Sequence, residues 1–331
     1  MQKTILVTGG AGYIGSHMVK LLNDENFNVV TFDDLSNGHL DAVTGGDFVF
    51  GSLLDEAALE NLFSRYKIDA VMHFAGVIAV GESVQDPEKY YQINVIGTLN
   101  LLKAMRKNKV QCIIFSSTAA IFGVPNNGLI SENHTKLPIN PYGWTKYIIE
   151  NTLQNFHVAY GLKYGILRYF NAAGAHPKVN LGERHYPETH LIPLTIYAAL
   201  SQQHTLKIYG TDYDTPDGTC IRDYIHICDL CDAHLLALNE LMNNATHLEY
   251  NLGNGVGYSV LDVIAAVEKV SGKTVNKEFA SRRAGDPARL IADSSLIRRT
   301  LGWKPKYEDI QTIISHAWAW ELAQKRYLIN K

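Results

Sequence analysis

The most constraining feature of this sequence is a glycine-rich turn close to the N-terminus. A short apolar, β-branched run, Thr4 to Thr8, leads into glycines at positions 9, 12 and 15, and buried parallel strands have this composition. Gly9 would allow a tight turn, Gly12 would let the backbone approach a pyrophosphate, and Gly15 would allow close packing of the following helix. The pattern predicts a strand, a phosphate-binding turn and a helix from Ser16 to Asn23.

An acidic residue follows the next strand at the spacing of a dinucleotide site. The run Asn28 to Phe32 predicts a strand, and Asp33 lies eighteen residues after Gly15. A carboxylate about twenty residues after the turn accepts hydrogen bonds from an adenosine ribose, and it disfavours the additional phosphate of NADP. Asp33 could instead be a solvated turn residue, but the order of strand, turn, helix and acid favours the ribose role. We therefore predict NAD as the cofactor.

Strands and helices alternate through the first half of the chain, which predicts an α/β fold with a doubly wound parallel (Rossmann) sheet. Ligands of such sheets bind at the carboxyl ends of the strands. The further strands are predicted at 48–50, 69–73, 111–117 and 163–170, and the further helices at 56–66, 87–107 and 142–160.

The character of the sequence changes after about residue 175, where proline and glycine turns separate shorter elements. We predict an NAD-binding Rossmann domain over residues 1–175 and a second, smaller α/β substrate domain over residues 176–331. Segments 233–241 and 249–252 could return to the first domain.

Composition and charge exclude several function classes. The 331 residues are 46% hydrophobic and 19% charged, with a formal net charge of −3. This balance gives no indication of a nucleic acid or an anionic membrane surface as partner. No apolar run is long enough to span a bilayer, and the N-terminus lacks the pattern of a signal peptide. A cytoplasmic protein is expected.

The four cysteines predict neither a disulfide framework nor a metal site. Cys228 and Cys231 have the spacing of zinc ligands, with His226 and His234 on either side, but no second cysteine pair accompanies them. Structural zinc usually needs four converging ligands. Two small thiols packed along a helix are the favoured interpretation, and no metal is predicted.

Tyr142 and Lys146 are four residues apart and would share one face of a helix. A phenol titrates near pH 10, so a base working near pH 7 needs a shift of about three units, or ~4 kcal/mol. A lysine ammonium about 6 Å away supplies about 2.8 kcal/mol at an effective dielectric constant of about 20. An oxidised nicotinamide could supply the rest. A tyrosine packed under a lysine stem is the common alternative for this spacing.

Several motifs resemble those of the extended short-chain dehydrogenase/reductases. They are the runs 8–17, His73-Phe74-Ala75-Gly76, Phe115-Ser116-Ser117-Thr118 and the Tyr142/Lys146 pair. Further runs are similar to those of the UDP-hexose 4-epimerase branch of that family, and the likeness spans essentially the whole chain. These runs are 79–83, 167–171, 174–177, 217–219, 222–226 and 250–253.

The resemblance implies tightly held NAD and interconversion of UDP-galactose and UDP-glucose through a 4-keto sugar. Tyr142 would take the proton of the sugar 4-hydroxyl, Lys146 would lower the pKa of Tyr142 and bind the nicotinamide ribose, and Thr118 would hold the 4-oxygen. Implied cofactor contacts are Gly9, Gly12, Tyr13, Ile14, Gly15, Asp33, Asn37, Ser52, Leu53, Phe74, Asn94, Tyr142, Lys146 and Tyr169. Implied substrate contacts are Thr118, Tyr142, Asn171, His190, Leu191, Lys207, Tyr209, Arg222, Arg283, Asp286 and Leu290.

Five positions depart from the pattern of the family. Ile78 replaces a lysine common in relatives, and Ser52 replaces an aspartate that binds the adenine amino group, so NAD retention is expected to be weaker. Thr189-His190 replaces a pair of asparagines on the uracil side. Leu290 lies near the sugar 2-position and is intermediate in size. UDP-galactose and UDP-glucose are expected as the main substrates, and this position does not decide whether UDP-N-acetylhexosamines are accepted as well.

Other functions remain compatible with parts of the pattern. A 4,6-dehydratase would need an acid and a base after Thr118, where Ala119 and Ala120 stand. A decarboxylase, a non-catalytic NAD-binding sensor and a dehydrogenase that releases NADH are further alternatives. Arg222 could also form a purely structural ion pair with Asp223. Helices 87–107 and 142–160 resemble those of a family dimer interface, so a homodimer is expected.

Overall fold

The computed structural model describes residues 2–125, 128–201, 203–283 and 286–329. The strands are β1 (Thr4–Thr8), β2 (Asn28–Asp33), β3 (Asp47–Phe50), β4 (Ala70–His73), β5 (Cys112–Thr118), β6 (Lys163–Tyr169), β7 (Asn171–Ala173), β8 (Leu206–Tyr209), β9 (Ile221–His226), β10 (His247–Leu252), β11 (Gly257–Ser259), β12 (Lys277–Ala280) and β13 (Arg289–Leu290). The helices are α1 (Tyr13–Asp24), α2 (Glu56–Arg65), α3 (Val80–Gln85), α4 (Pro87–Tyr90), α5 (Gly97–Lys107), α6 (Pro141–Tyr160), α7 (Leu191–Leu200), α8 (Ile227–Asn243), α9 (Val260–Ser271), α10 (Ser295–Leu301) and α11 (Ile310–Ile329).

Seven parallel strands form the main sheet, in the order β10-β6-β5-β4-β1-β2-β3. The predicted α/β fold with a doubly wound parallel sheet is confirmed. Strand β10 comes from the C-terminal half of the chain and pairs with β6, His247 opposite Tyr164. The order reverses between β1 and β4, and the crevice outside such a reversal is where doubly wound sheets bind ligands.

Apolar side chains cover both faces of the main sheet, as the nearly continuous hydrophobic strands require. On one face, α1 and α8 pack over residues such as Val7 and Ile114. On the other face, α2, α5 and α6 pack over residues such as Leu6 and Ile113. Polar side chains are therefore favoured at the strand ends.

The predicted helix over 87–107 contains a π-helical segment, Tyr91–Ile96, between α4 and α5. Buried Asn94 lies in this segment, where its side chain accepts from Val77 N at 2.9 Å and donates to Val77 O at 3.1 Å. Wider π turns are frequent at functional sites because they redirect one side chain. Here the side chain of Asn94 fixes the loop that follows β4.

The remaining elements form a separate apolar cluster beside the main sheet. Strands β7, β11 and β13 pair with β9, and β8 pairs with β12. Helices α7, α9 and α11 contribute residues such as Ile196, Val263 and Ile313 to this cluster. These elements and the loops between them carry most of the residues predicted to bind a substrate.

Neither a membrane-crossing helix nor a cysteine ligand site is found in the described part of the chain. No described helix combines the length and apolar character needed to cross a bilayer. The cysteines are free thiols, and burial raises the pKa of Cys228 to about 12. Among the described residues, no group of converging metal-ligating side chains includes a cysteine.

Candidate active site

The glycine turn lies at the carboxyl end of β1, and two of its glycines have no room for a side chain. Gly9 has a φ of +71°, and a Cβ there would lie 2.5 Å from Ala75 N. A Cβ on Gly15 would lie 2.1 Å from Gly9 O, so Gly15 packs against the turn itself. Gly12 is the N-cap of α1, and no side chain of the described residues caps that helix. The amide groups of its first turn are therefore suited to an anion.

Asp33 ends β2 and is buried beside this turn. Its Oδ2 accepts from Ala11 N at 3.0 Å, and its Oδ1 accepts from Leu35 N at 2.8 Å. Burial raises the pKa of Asp33, and the two amides oppose that rise. A carboxylate has about four acceptor positions. Two therefore remain for the hydroxyls of a ribose.

Tyr142 lies in the first turn of α6, where Asn140 Oδ1 caps the helix by accepting from Gly143 N at 2.8 Å. Burial raises the pKa of Tyr142 to about 12, and a hydrogen bond with Thr118 opposes this rise. Thr118 Oγ1 also accepts from Ala120 N at 3.2 Å, so the hydroxyl proton of Thr118 is free to point at the phenol oxygen.

Lys146 is buried one helical turn beyond Tyr142. Its Nζ donates to Ser116 O at 2.9 Å and lies 4.8 Å from the centre of the Phe115 ring. Burial lowers the pKa of Lys146 to about 8, against the opposing charge of Glu150. The ammonium of Lys146 is thus held between α6 and β5, and β5 is the strand that ends in Thr118.

A buried ion pair fixes α6 to the sheet one turn beyond Lys146. Arg168 on β6 donates to both oxygens of Glu150, each at 2.8 Å. Ser117 Oγ donates to Glu150 Oε1 at 2.6 Å, and Glu249 on β10 completes the ion pair with Arg168. Bidentate pairs of this kind are geometrically specific. The register of α6 on the sheet, and with it the position of Tyr142, is therefore set by charged contacts as well as by packing.

Tyr90 lies beside Tyr142 although no motif marked it as a site residue. The Tyr90 ring meets the Tyr142 ring edge-on, with centroids 6.5 Å apart. Tyr90 donates to Ala79 O at 2.6 Å and to Glu82 Oε2 at 2.9 Å. The run 79–83 stood out in the sequence, but nothing there indicated that its Glu82 would be held by Tyr90.

The other predicted cofactor residues lie around the same edge with individual partners. Tyr13 donates to Gly174 O at 2.7 Å, the Tyr169 and Ser116 hydroxyls are hydrogen-bonded, and the Phe74 ring centroid is 5.2 Å from that of His234. Asn37 is exposed, whereas Ile14 and Leu53 pack into the cores. Ser52 Oγ accepts from Leu54 N at 3.4 Å, and Ile78 is exposed.

On the substrate side, Arg222 on β9 forms an ion pair with Asp286. The Arg222–Asp223 ion pair, an alternative from the sequence, is absent from the described residues. Asp223 instead accepts from the backbone amides of residues 254, 255 and 292. Asn171 donates to Asp223 O at 2.9 Å, which ties β7 to β9 next to Arg222.

Four further predicted substrate residues lie on β8, on β13 and in the segment before β13. The Arg283 guanidinium lies 3.8 Å from the centre of the Tyr209 ring. Lys207 is exposed and lies 3.5 Å from Glu278. Leu290 packs against the cluster of Ile121 and Phe122, which follows Thr118. Through Leu290, β13 reaches the segment that follows β5.

His190 and Leu191 lie at the beginning of α7. Leu191 packs into the cluster beside the main sheet, and His190 is the N-cap of the helix. His190 Nδ1 lies 2.8 Å from Glu183 Oε1 and 3.1 Å from Glu188 Oε1. The structure therefore gives His190 acidic partners from the preceding loop.

The family model for the NAD dependent epimerase/dehydratase family matches residues 5–253. The chain belongs to this family. The match includes the glycine turn, Asp33, Thr118, Tyr142 and Lys146, so the edge of the sheet described above is the part shared with the family.

Individual relatives match nearly the whole chain. A UDP-glucose 4-epimerase of Halalkalibacterium halodurans is 48% identical over 316 residues, which cover 96% of this chain and 95% of that protein. The structure of UDP-glucose 4-epimerase from Brucella ovis in complex with NAD superimposes with a TM-score of 0.93 at 48% identity, covering 96% of this chain and 98% of that one. The UDP-Glc/GlcNAc 4-epimerase of Campylobacter jejuni superimposes with a TM-score of 0.85 at 43% identity, covering 97% and 99%.

Proposed function

We propose that this protein is an NAD-dependent UDP-glucose 4-epimerase that interconverts UDP-galactose and UDP-glucose. One observation carries the proposal: Tyr142, Thr118 and Lys146 meet at the carboxyl edge of a sheet that relatives of this name share over nearly their full length. A tyrosine paired with a threonine hydroxyl beside a buried lysine provides a base for a sugar hydroxyl.

The turn after β1 fits NAD. Gly9 and Gly15 leave no space for a Cβ, and the amides at the start of α1 suit a pyrophosphate. Asp33 keeps free acceptor positions for a ribose diol, and Asn94 and Lys146 lie beside the loop after β4, where a Cβ on Gly76 would lie 3.8 Å from Lys146 Nζ. These residues would hold the dinucleotide along the strand ends.

Inverting a carbon that bears a hydroxyl requires more than removal of a proton, because the hydrogen on that carbon is not acidic. When bound, NAD supplies reversible acceptance of a hydride, so that the sugar passes through a planar 4-keto form and C4 can be reduced from the opposite face. Tyr142 takes the proton of the 4-hydroxyl at its phenol oxygen and returns it after inversion. Thr118 orients the 4-oxygen towards Tyr142.

Lys146 has two tasks in this proposal. Its buried ammonium places a positive charge on the face of α6 that carries Tyr142, which favours the phenolate against the effect of burial. Its ammonium also lies next to Gly76 in the loop after β4, where it would bind a hydroxyl of the nicotinamide ribose. Ser116 O holds the ammonium in place at 2.9 Å.

The substrate diphosphate would bind around Arg222, in what we call the second region; the surroundings of Tyr142 are the first. Arg222 and Arg283 offer guanidinium groups that match phosphate oxygens in geometry, Asp286 would accept from the uridine ribose, and Asn171 lies beside Arg222 on the neighbouring strand β7. Contacts remote from C4 hold the nucleotide while the sugar turns, so their binding energy is available throughout the reaction. The Arg222–Asp286 pair orients both side chains.

We further propose the setting in which this activity operates. The division into an NAD-binding domain over residues 1–175 and a substrate domain over 176–331 is a proposal, although β10, from the second half of the chain, lies in the main sheet. A homodimer formed through the 87–107 and 142–160 segments, a cytoplasmic location and a role in galactose metabolism are proposals as well. Light scattering at micromolar concentration tests the dimer, and the mass of a monomer would contradict it.

The direct test is incubation of the purified protein with UDP-galactose and no added NAD, followed by separation of the sugar nucleotides. Formation of UDP-glucose to equilibrium without free NADH is expected. Activity only with added NAD would indicate that Ile78 and Ser52 weaken cofactor retention. No conversion with NAD supplied would contradict the proposal, and free NADH would indicate a net dehydrogenase.

A second candidate activity is 4-epimerisation of UDP-N-acetylhexosamines. Leu290 is half-buried against the cluster after Thr118, and its size neither clearly excludes nor clearly admits an N-acetyl group. A screen of both substrate classes decides the matter. Faster turnover of UDP-N-acetylglucosamine than of UDP-glucose would make the second activity the principal one.

A further inference from the structure

Four metal-ligating side chains converge in the loop before α7. Glu183, His185, Glu188 and His190 each offer one ligand atom, and these atoms all lie within 4.8 Å of one another. Among the described residues this is the one such group. We propose that it binds a divalent transition-metal ion, for which Zn²⁺ is the representative. The site is separate from the Tyr142 region and does not depend on the proposed epimerase activity.

The spacing of the four atoms fits an ion at their centre. Ligands about 2.0–2.2 Å from a tetrahedral zinc lie about 3.3–3.6 Å from each other. His185 Nδ1 lies 3.4 Å from Glu183 Oε1 and 3.6 Å from Glu188 Oε2. His190 Nδ1 lies 2.8 Å from Glu183 Oε1, and the four ligand atoms all lie within 4.8 Å of one another. Only a slight separation of His190 Nδ1 and Glu183 Oε1 is needed to accept the ion.

Burial supplies the second, independent observation. The side chains of Glu183 and Glu188 are only 7% and 5% exposed. Glu188 Oε2 and His185 Nδ1 are buried without a hydrogen-bond partner among the described residues, and both face the other ligands. Two buried carboxylates need compensating positive charge. One divalent cation with two neutral imidazoles balances them and takes up both unpartnered atoms.

Contacts around the four ligands hold them in place. Glu188 Oε1 accepts from Thr189 N at 2.7 Å and from His190 N at 2.8 Å, which directs its other oxygen inward. Glu183 O accepts from Trp320 Nε1 at 3.1 Å. Fixed outer contacts of this kind orient metal ligands and contribute to affinity.

The position of the site indicates a structural role. His190 is the N-cap of α7, and the His185 ring meets the ring of Tyr13, from the glycine turn, edge-on at 6.4 Å. An ion here would tie the 183–190 loop to the beginning of α7 beside the glycine turn. His190 Nδ1 would then be a metal ligand, leaving Nε2 for the substrate contact predicted from the sequence. The sequence predicted no metal, because only Cys228 and Cys231 had a recognised ligand spacing and they lacked a second pair.

The test uses the full chain without an affinity tag, treated with a chelator and titrated with Zn²⁺ against a chromophoric competitor, without substrate. We expect one equivalent to bind and the thermal midpoint to rise with Zn²⁺, since a ligand of the folded state stabilises it. Glu188→Gln and His185→Gln should each weaken binding about 100-fold or more and abolish the thermal shift. Because the assay contains no UDP-sugar, its failure is distinct from failure of the epimerase proposal.

Two controls locate the ion. His204 is exposed and follows the C-terminal end of α7, opposite His190. The variants His204→Asn and Cys228→Ser should bind Zn²⁺ as the parent protein does. Loss of binding in Cys228→Ser with retention in Glu188→Gln would overturn the proposal. So would absence of stoichiometric binding at micromolar Zn²⁺, in which case the four side chains form carboxylate–imidazolium pairs.

A second measurement needs no variant and so does not depend on variant folding. Co²⁺ in the parent protein should give the visible absorption of a four-coordinate nitrogen and oxygen site, without a sulfur-to-cobalt charge-transfer band. A strong charge-transfer band would place the ion on the thiols and contradict the assignment.

Discussion

The Tyr142 region and the Arg222 region are built in opposite ways. Tyr142, Lys146 and Thr118 come from one helix and the end of one strand, and the buried Glu150–Arg168 pair fixes that helix to the sheet. The second region draws on β8, β9, β13 and the segment before β13, and Arg222 meets Asp286 across 64 residues of sequence. Proton transfer needs fixed geometry, which continuous elements supply. Binding a nucleotide needs groups on several sides, which only separate segments supply.

The largest effect is expected from Tyr142→Phe, which removes the proton acceptor and leaves the ring in place. We expect kcat for UDP-galactose to fall about 10³-fold or more, as loss of a general base does, with little change in KM and with NAD binding intact. Tyr147→Phe, on the same helix and packed against the cluster of Ile121 and Phe122, is the matched control and should keep kcat. Comparable losses in both variants would assign the effect to the helix instead of the phenol.

Arg283→Met should act on binding instead of chemistry. Charged hydrogen bonds to phosphate contribute about 1.5–3 kcal/mol, so we expect KM for UDP-galactose to rise about 10- to 100-fold with a smaller change in kcat. The neighbouring Arg282, whose Nε lies 2.6 Å from Asp212 Oδ1 at the surface, gives the control Arg282→Met, with KM close to that of the parent. A fall in kcat alone in Arg283→Met would remove the contrast between the two regions.

Thr118→Val tests the electrostatics of the first region. The hydrogen bond from Thr118 lowers the pKa of Tyr142, so its loss raises that pKa and reduces the deprotonated fraction at any pH below it. We expect kcat/KM at pH 7 to fall about tenfold and its rising limb to move to higher pH. Thr118→Ser should restore both. An unchanged pH profile in Thr118→Val would show that Thr118 does not act on the phenol.

The smallest effect is expected from Lys207→Ala. Lys207 is exposed, and its ammonium lies 3.5 Å from Glu278, a surface pair that contributes little stability. We expect KM to change by no more than about twofold, because an exposed flexible ammonium makes a weak diphosphate contact. A tenfold rise in KM would show that Lys207 binds the substrate directly and would extend the second region to β8.

Local sequence was sufficient for the fold around the glycine turn. The strand Thr4–Thr8 follows from a continuous apolar run, the glycine turn from conformations that only glycine allows, and Asp33 from its spacing after that turn. The predicted sheet is confirmed. Helix boundaries came within a few residues for α1 and α6, since each ends where the apolar pattern ends. The π-helical segment around Asn94 was missed, because no local pattern marks it and the contact of Asn94 with Val77 joins it to another loop.

The sequence by itself determined that the chain forms a doubly wound sheet and which family it belongs to, because those properties follow from short-range patterns and from motifs that recur intact. Tertiary structure alone decided what each polar group meets. It gave Lys146 the carbonyl of Ser116, gave Arg222 the carboxylate of Asp286, and brought Glu183, His185, Glu188 and His190 together. Each of these groups has several possible partners along the chain, and only the path of the backbone and the exclusion of water select among them.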